Sequence, residues 1–448
     1  VSVRLVSALM LTPDRVGTLI FDRSSVIRAD FRSGMLGIET DIVVLGASLG
    51  VVLVAYGLYR DANRHRTGHL RRSRAHLVAA LLAGGAASHW LLQVLTSAAD
   101  ALTPGHDGLL HMFEQTPWWG LCLVALVGGL IVGILAHYFE AARGHGVPDV
   151  MSAVALQGGK MPTRTGPIFA GAACVTVAST GSVGLEGPVV VFGAATASGL
   201  GRALLLTPER LRVLVAAGAA AGIAASFNAP IAGALFALEI VVGDFALTMF
   251  SPVMIASVVG TVVHRSIQGN HPIFAEAAFQ INSGYEILLY VLLGFLCGGV
   301  GSIFVRVMEW LRRRAGQALA PIPDFLRPSA GLILLVLLAV GLQRYEILGS
   351  GYDTMADLMS GRLVGPTVVL ILTAKMVATA LTLGAGGIGG IFLPSLMLGA
   401  STGSLFGSLA GTALGDRIAS PGSFALVGMG AVLTAVQHAP LTAVVMVF

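Results

Sequence analysis

The stretch GSVGLEGPVVVFGAATASGLG, residues 181–201, returns 206 positions later as GIGGIFLPSLMLGASTGSLFG, residues 387–407. Gly184 aligns with Gly390, Pro188 with Pro394, Gly193 with Gly399, Thr196 with Thr402, Ser198 with Ser404 and Gly201 with Gly407. Two more blocks flank this pair. Ahead of it stand two Gly-x-Gly turns, GHG at 144–146 and GSG at 349–351, 205 apart. Behind it, GAAAGIAASFNAPIAGALF (218–236) and GMGAVLTAVQHAPLTAVVM (428–446) lie 210 apart and share Gly218/Gly428, Ala221/Ala431, Ala225/Ala435, Ala229/Ala439 and Pro230/Pro440. Three blocks in one order at a nearly constant offset read as an internal duplication.

The solvent of this duplicated chain is lipid. Of its 448 residues, 55% are hydrophobic and only 11% charged, and its mean hydropathy is +0.84. A soluble domain carries about 25% charged residues, so the composition excludes a large soluble enzyme. Apolar stretches run near 42–58, 76–96, 118–139, 168–180, 189–206, 211–240, 246–264, 286–310, 330–343, 366–383, 391–412 and 422–448. A bilayer-spanning helix needs about 20 residues, and several of these stretches are shorter or are interrupted by Gly or Pro. Broken segments are stable in a membrane only when buried in protein or lining a cavity. That pattern favours a transporter or channel. The 58 glycines suit closely packed membrane helices.

The expected fold is therefore an all-α polytopic membrane protein of broken and tilted helices in two repeats. Residues 1–60 read as an N-terminal extension with a possible extra membrane segment, 61–265 as the first half and 266–448 as the second. The halves are inverted in topology if each makes an odd number of passes, and such repeats place a substrate site near the midplane. Arg60, Arg64, Arg66, Arg71, Arg72 and Arg74 against Asp61 mark a cytoplasmic loop. Lys160 with Arg164, and the run Arg312, Arg313, Arg314, mark two more. No cleavable signal peptide is expected from the first forty residues. The net charge of +4 suits an anionic leaflet and not nucleic acid. Cys122, Cys174 and Cys297 are read as small hydrophobes. The 11 histidines form no metal-ligand spacing, no metal or cofactor is expected, and no G-x-S-x-G elbow suggests an enzyme.

Chemistry concentrates in GSVGLEGP. Pro188 suits a first helical turn, and Gly184 and Gly187 are expected to permit unusual backbone angles. The helix that starts there offers free N–H groups and a positive dipole end, which attract an anion. Glu186 sits at that end, and a carboxylate in a membrane segment is costly, which makes it a functional candidate by default. The expectation is that Glu186 competes with a permeant anion for the same amides and leaves when protonated. The second-half counterpart, GGIFLP (389–394), offers the same helix start without an acid. Lys375, in an apolar helix, either snorkels or attracts anions.

GHGVP (144–148), GLEGP (184–188) and GIFLP (390–394) resemble the three signature motifs of the CLC chloride channels and chloride/proton antiporters, and FNAPIAGALFALE (227–239) resembles a further stretch of that family. The resemblance covers roughly residues 75–448. It implies a homodimer in a membrane, with a bacterial inner membrane as the expected location, and chloride or another small inorganic anion as substrate. It implies that Glu186 is the gating glutamate. Anion contacts would come from Gly144, His145 and Gly146, from the amides of Leu185 and Gly187, and from Gly390, Ile391 and Phe392.

Three positions depart from the family pattern. His145 stands where Ser is usual, which points to altered selectivity, since imidazole donates one N–H when neutral and adds charge when protonated. Ile240 stands where antiporters carry a second, proton-relaying glutamate, after Glu239, an acid of expected structural role. This favours passive or weakly coupled transport, with full coupling through a water chain as the alternative. The family's central-site tyrosine belongs to a helix beyond the block that ends at Phe448, so no tyrosine here is expected in that role.

Overall fold

A computed structural model of the chain describes residues 109–268, 284–415 and 418–448. The expected N-terminal segment 1–60, the arginine-rich loop 60–74 and the apolar stretches 42–58 and 76–96 lie outside the described residues.

Among the described residues the elements are fifteen α-helices with short 3-10 and π turns. They are α1 (Leu109–Gln115), α2 (Trp118–Tyr138), α3 (Val147–Leu156), α4 (Thr165–Ala178), α5 (Glu186–Ala203), α6 (Pro208–Phe227), α7 (Pro230–Phe236) and α8 (Leu247–Gln268), followed by α9 (Tyr285–Ala318), α10 (Arg327–Leu342), α11 (Tyr352–Met359), α12 (Pro366–Gly384), α13 (Phe392–Leu414), α14 (Pro421–Gln437) and α15 (Pro440–Val447). Proline opens α6, α7, α12, α14 and α15, a position where its missing N–H costs nothing. The apolar stretches 211–240 and 422–448 each break into two helices at the same repeat position. Asn228 (φ 54°) and His438 (φ 56°) take the left-handed conformation that ends a helix, two residues before Pro230 and Pro440.

Five described helices are long and apolar enough to cross a membrane: α2, α6, α9, α12 and α13. Shorter apolar helices of 10–17 residues, among them α3, α4, α10 and α14, are interleaved with them. The apolar window of α9 is 22% buried and that of α13 is 78% buried. Thus α9 turns Leu288, Phe295 and Ile303 outward, as a lipid-facing helix does, while α13 runs through the centre. This is an integral multi-pass membrane protein.

The duplication folds as a two-fold. Gly184 N–H donates to the Gly390 carbonyl and Gly390 N–H to the Gly184 carbonyl, both at 2.8 Å, in an isolated antiparallel bridge. These residues are repeat equivalents, and reciprocal bonding between equivalents requires a two-fold rotation between them. A simple translation would carry the first bond to a third residue. Nearby bonds obey the same rotation. Ser182 N–H donates to Thr382 Oγ1 at 3.1 Å, and Ile388 N–H to Thr176 Oγ1 at 3.2 Å, with 176/382 and 182/388 again 206 apart. The halves are inverted repeats.

Glycine sets the packing within each half. Gly193 on α5 and Gly218 on α6 meet so closely that a Cβ on either would strike the other's carbonyl oxygen. Gly399 on α13 and Gly428 on α14 meet in the same way. The close approach that the aligned glycines predict is a backbone-to-backbone crossing made twice.

Candidate functional site

The two helix starts at the two-fold axis have one backbone. Leu185, before α5, has φ −94° and ψ −7°, and Ile391, before α13, has φ −93° and ψ 3°. The first turn of each helix directs N–H groups outward with no carbonyl of their own helix to accept them. The third residue of each helix is proline, Pro188 and Pro394. Neither Gly184 nor Gly187 takes a positive φ, which corrects the expectation of unusual backbone angles. Gly184 is needed for space: a Cβ there would collide with the Glu186 carboxylate and lie 3.1 Å from Leu393 Cβ. At Gly187 an added Cβ would meet only Gly390 Cα, at an ordinary 3.6 Å.

Glu186 is the first residue of α5 and is 3% exposed. Its Oε1 accepts a hydrogen bond of 3.0 Å from the Tyr352 hydroxyl on α11. Its Oε2 is buried against Gly184 and has no hydrogen-bond partner. A half-satisfied buried carboxylate is costly to hold.

A cavity of about 620 Å³ opens beside this carboxylate. It is lined by Glu186 and Gly187 from α5, by Gly390, Ile391 and Phe392 from the start of α13, and by Gly144, His145 and Gly146 from the turn before α3. The structure thus brings eight of the sequence-predicted residues to one cavity. Gly146 (φ 84°, ψ −127°) takes a backbone open to glycine alone, and α3 starts directly after it. Three helix N-termini therefore border one cavity, and their dipoles favour an anion there. Arg143, Arg312 and Arg327 also line it, with Asp324 ion-paired to Arg327 at 2.7 Å.

The remaining predicted residues fall elsewhere. Leu185 caps α5 without lining the cavity. Ile240 is 9% exposed, in the π turn Ala237–Val242, and does not line it either. His145 lines the cavity with a side chain 69% exposed. Asp149 accepts its backbone N–H at 2.6 Å and lies 3.4 Å from its Nδ1, so the imidazole is tethered at the open side. Glu239 accepts Leu441 N–H (3.2 Å), Thr442 N–H (2.8 Å) and Thr442 Oγ1–H (2.7 Å). It caps α15 of the other half. Lys375 is completely buried, and its Nζ donates to the carbonyls of Ile347 (3.2 Å) and Gly349 (3.0 Å). That corrects the snorkelling alternative: the ammonium never reaches a polar surface, because the carbonyls of the second Gly-x-Gly turn solvate it.

Sequence reading missed Tyr352 and Asp149. Tyr352 directly follows the GSG turn, as Val147 follows GHG. The duplication could have flagged that one copy carries a hydroxyl and the other does not.

The fold and the cavity define a membrane transport protein whose pathway suits anions. A family model described as voltage gated chloride channel matches residues 128–448, and the chain belongs to that family, the CLC family of anion transport. It is 35% identical over 352 residues to a ClcB-like chloride channel protein from Ralstonia nicotianae, covering 78% of this chain and 81% of that one. It is 29% identical over 341 residues to the H(+)/Cl(-) exchange transporter ClcA of Vibrio parahaemolyticus, covering 74% and 72%. Its fold resembles that of a slow cyanobacterial Cl-/H+ antiporter, with a TM-score of 0.67 and 22% identity over 85% of this chain and 89% of the other.

Proposed function

We propose that this protein conducts chloride and related small inorganic anions through the cavity beside α3, α5 and α13, with Glu186 as its gate. The observation that carries the reading is the buried Glu186 carboxylate at the start of α5, lining a cavity bordered by three helix N-termini. An ionised carboxylate there competes with the permeant anion for the same positive helix ends. A protonated one has no such hold and yields its place. The amides of Leu185, Gly187, Ile391 and Phe392 are the proposed anion contacts, with Gly144, His145, Gly146 and Gly390 shaping the cradle. His145, tethered by Asp149, tunes selectivity at the mouth.

Transport is passive or weakly proton-coupled in this reading, because Ile240 is an alkyl side chain that carries no proton and lies away from the cavity. Full proton exchange is the second reading. It is supported by Glu186 and the titratable His145 lining one cavity, through which water could relay a proton, and by the exchange function in the name of the Vibrio relative. The protein is proposed to act as a homodimer in a bacterial inner membrane without a bound cofactor. Anion efflux from reconstituted vesicles, with proton movement recorded in chloride, bromide, nitrate and fluoride, tests both readings. Chloride efflux without proton movement supports the first; stoichiometric proton movement supports the second. No anion efflux at any pH refutes both.

A further inference from the structure

The hydroxyl of Tyr352 touches the Glu186 carboxylate from the opposite half of the molecule. We propose that Tyr352 is a latch for the gate: a positioning residue that holds the ionised Glu186 carboxylate in its closed seat and releases it when the gate opens. The inference rests on the gating reading and adds to it the group that sets how firmly the gate stays shut.

Several observations converge on it. The bond from Tyr352 Oη to Glu186 Oε1 is 3.0 Å, and it is the only side-chain partner of that carboxylate among the described residues, since Oε2 has none. The other oxygen, Oε2, lies against Gly184, in space that a Cβ there would need. Tyr352 is itself held in place from behind. It follows Gly351, whose φ of 94° only glycine takes readily, and the turn before it is pinned by Lys375 through the Ile347 and Gly349 carbonyls. A buried ammonium seated on two carbonyls fixes that turn, and with it the start of α11.

The contact is also singular within a symmetric frame. The two-fold that relates Glu186 to Phe392 relates Tyr352 to Val147, and both equivalents are apolar, so their side chains form no hydrogen bond. The polar pair therefore exists in one of two otherwise matching settings. A hydrogen bond to an ionised acceptor is stronger than one between neutral groups, so the latch favours the closed, ionised state. Protonation of the carboxylate weakens it.

The charged and titratable groups that face Glu186 are Tyr352 on α11 and Lys375 on α12 behind the 349–351 turn. From the cavity they are His137, Arg143, His145, Arg312, Asp324 and Arg327. Tyr352→Phe changes one of these and removes a single oxygen, leaving the ring's packing intact. Chloride efflux from vesicles is measured from acid to alkaline pH for wild type, Tyr352→Phe, Glu186→Gln and the double variant. Loss of a hydrogen bond to a charged group is expected to raise neutral-pH efflux roughly tenfold and to move the midpoint of acid activation upward by about one pH unit. In the Glu186→Gln background the same substitution changes neither rate nor profile. Tyr352→Leu serves as a second variant and shifts the midpoint in the same direction.

A Tyr352→Phe profile that superimposes on wild type, while Glu186→Gln departs from it, overturns the latch and leaves the gate standing. An equal effect of Tyr352→Phe with and without Glu186 also overturns it, because the tyrosine then acts through something other than the gate. If Glu186→Gln itself matches wild type, the gating reading fails and the latch falls with it.

Discussion

Leu185 and Ile391 turn the chain through nearly the same backbone angles into α5 and α13, and the next residue is a carboxylate in one half and a phenyl ring in the other. Around Phe392 the environment is aromatic: its ring centroid lies 5.3 Å from that of Phe227 and 6.5 Å from that of Phe236. Around Glu186 it is a tyrosine hydroxyl, a bare glycine and a cavity. Duplication supplied the same backbone geometry twice, in the helix starts and the glycine crossings, and one reciprocal bridge joins the copies. The chemistry that differs between the copies is confined to a few side chains. A second acid at Phe392 would set two like charges facing one cavity.

Substitution is expected to cost most at the scaffold that the two halves share. Gly399→Leu drives a side chain into the Gly428 carbonyl, where no flexible group can give way. The expected outcome is failure to recover folded protein, seen as aggregation on gel filtration in detergent. Next comes the chemical asymmetry itself. Phe392→Glu gives the second half the acid it lacks, and repulsion plus competition for the remaining amides is expected to lower chloride efflux by about tenfold or more at neutral pH, with recovery on acidification. A smaller effect belongs to Gly184→Ala. Its methyl displaces the Glu186 carboxylate from its seat, the far end of a flexible side chain being the atom that yields. Neutral-pH efflux should rise several-fold, roughly the range expected for one lost hydrogen bond. Least affected is Glu239→Ala, which uncaps α15. It is expected to cost about 1–2 kcal/mol of stability, read as a lower unfolding temperature with little change in efflux. A large loss of transport with unchanged stability would instead make Glu239 part of the pathway.

Much of this was legible in the sequence because duplication leaves its mark on glycine and proline. Gly193, Gly218, Gly399 and Gly428 align because a Cβ at any of them would strike a backbone carbonyl, and Pro230 and Pro440 align because each opens a helix after a left-handed break. Glu186 stood out because an acid between glycines in an apolar chain has few structural uses. Contacts across the two-fold were harder to read. Tyr352 and Glu186 are 166 positions apart, and nothing local to either names the other. The snorkelling alternative for Lys375 fails for the same reason: its solvation comes from carbonyls 26 and 28 residues away, where sequence offers only an isolated cation in an apolar helix. The role of Gly184 was also mistaken, since sequence shows that a side chain is missing but not whether space or backbone angle demands it.

Glu186→Gln in reconstituted vesicles, with chloride efflux followed from acid to neutral pH, tests the gate most directly. The substitution keeps the shape of the side chain and removes its charge. Efflux at neutral pH is expected to rise to the level that wild type reaches only in acid, with a profile that no longer depends on pH over that range. A variant whose efflux and pH dependence match those of wild type would contradict a gating role for Glu186.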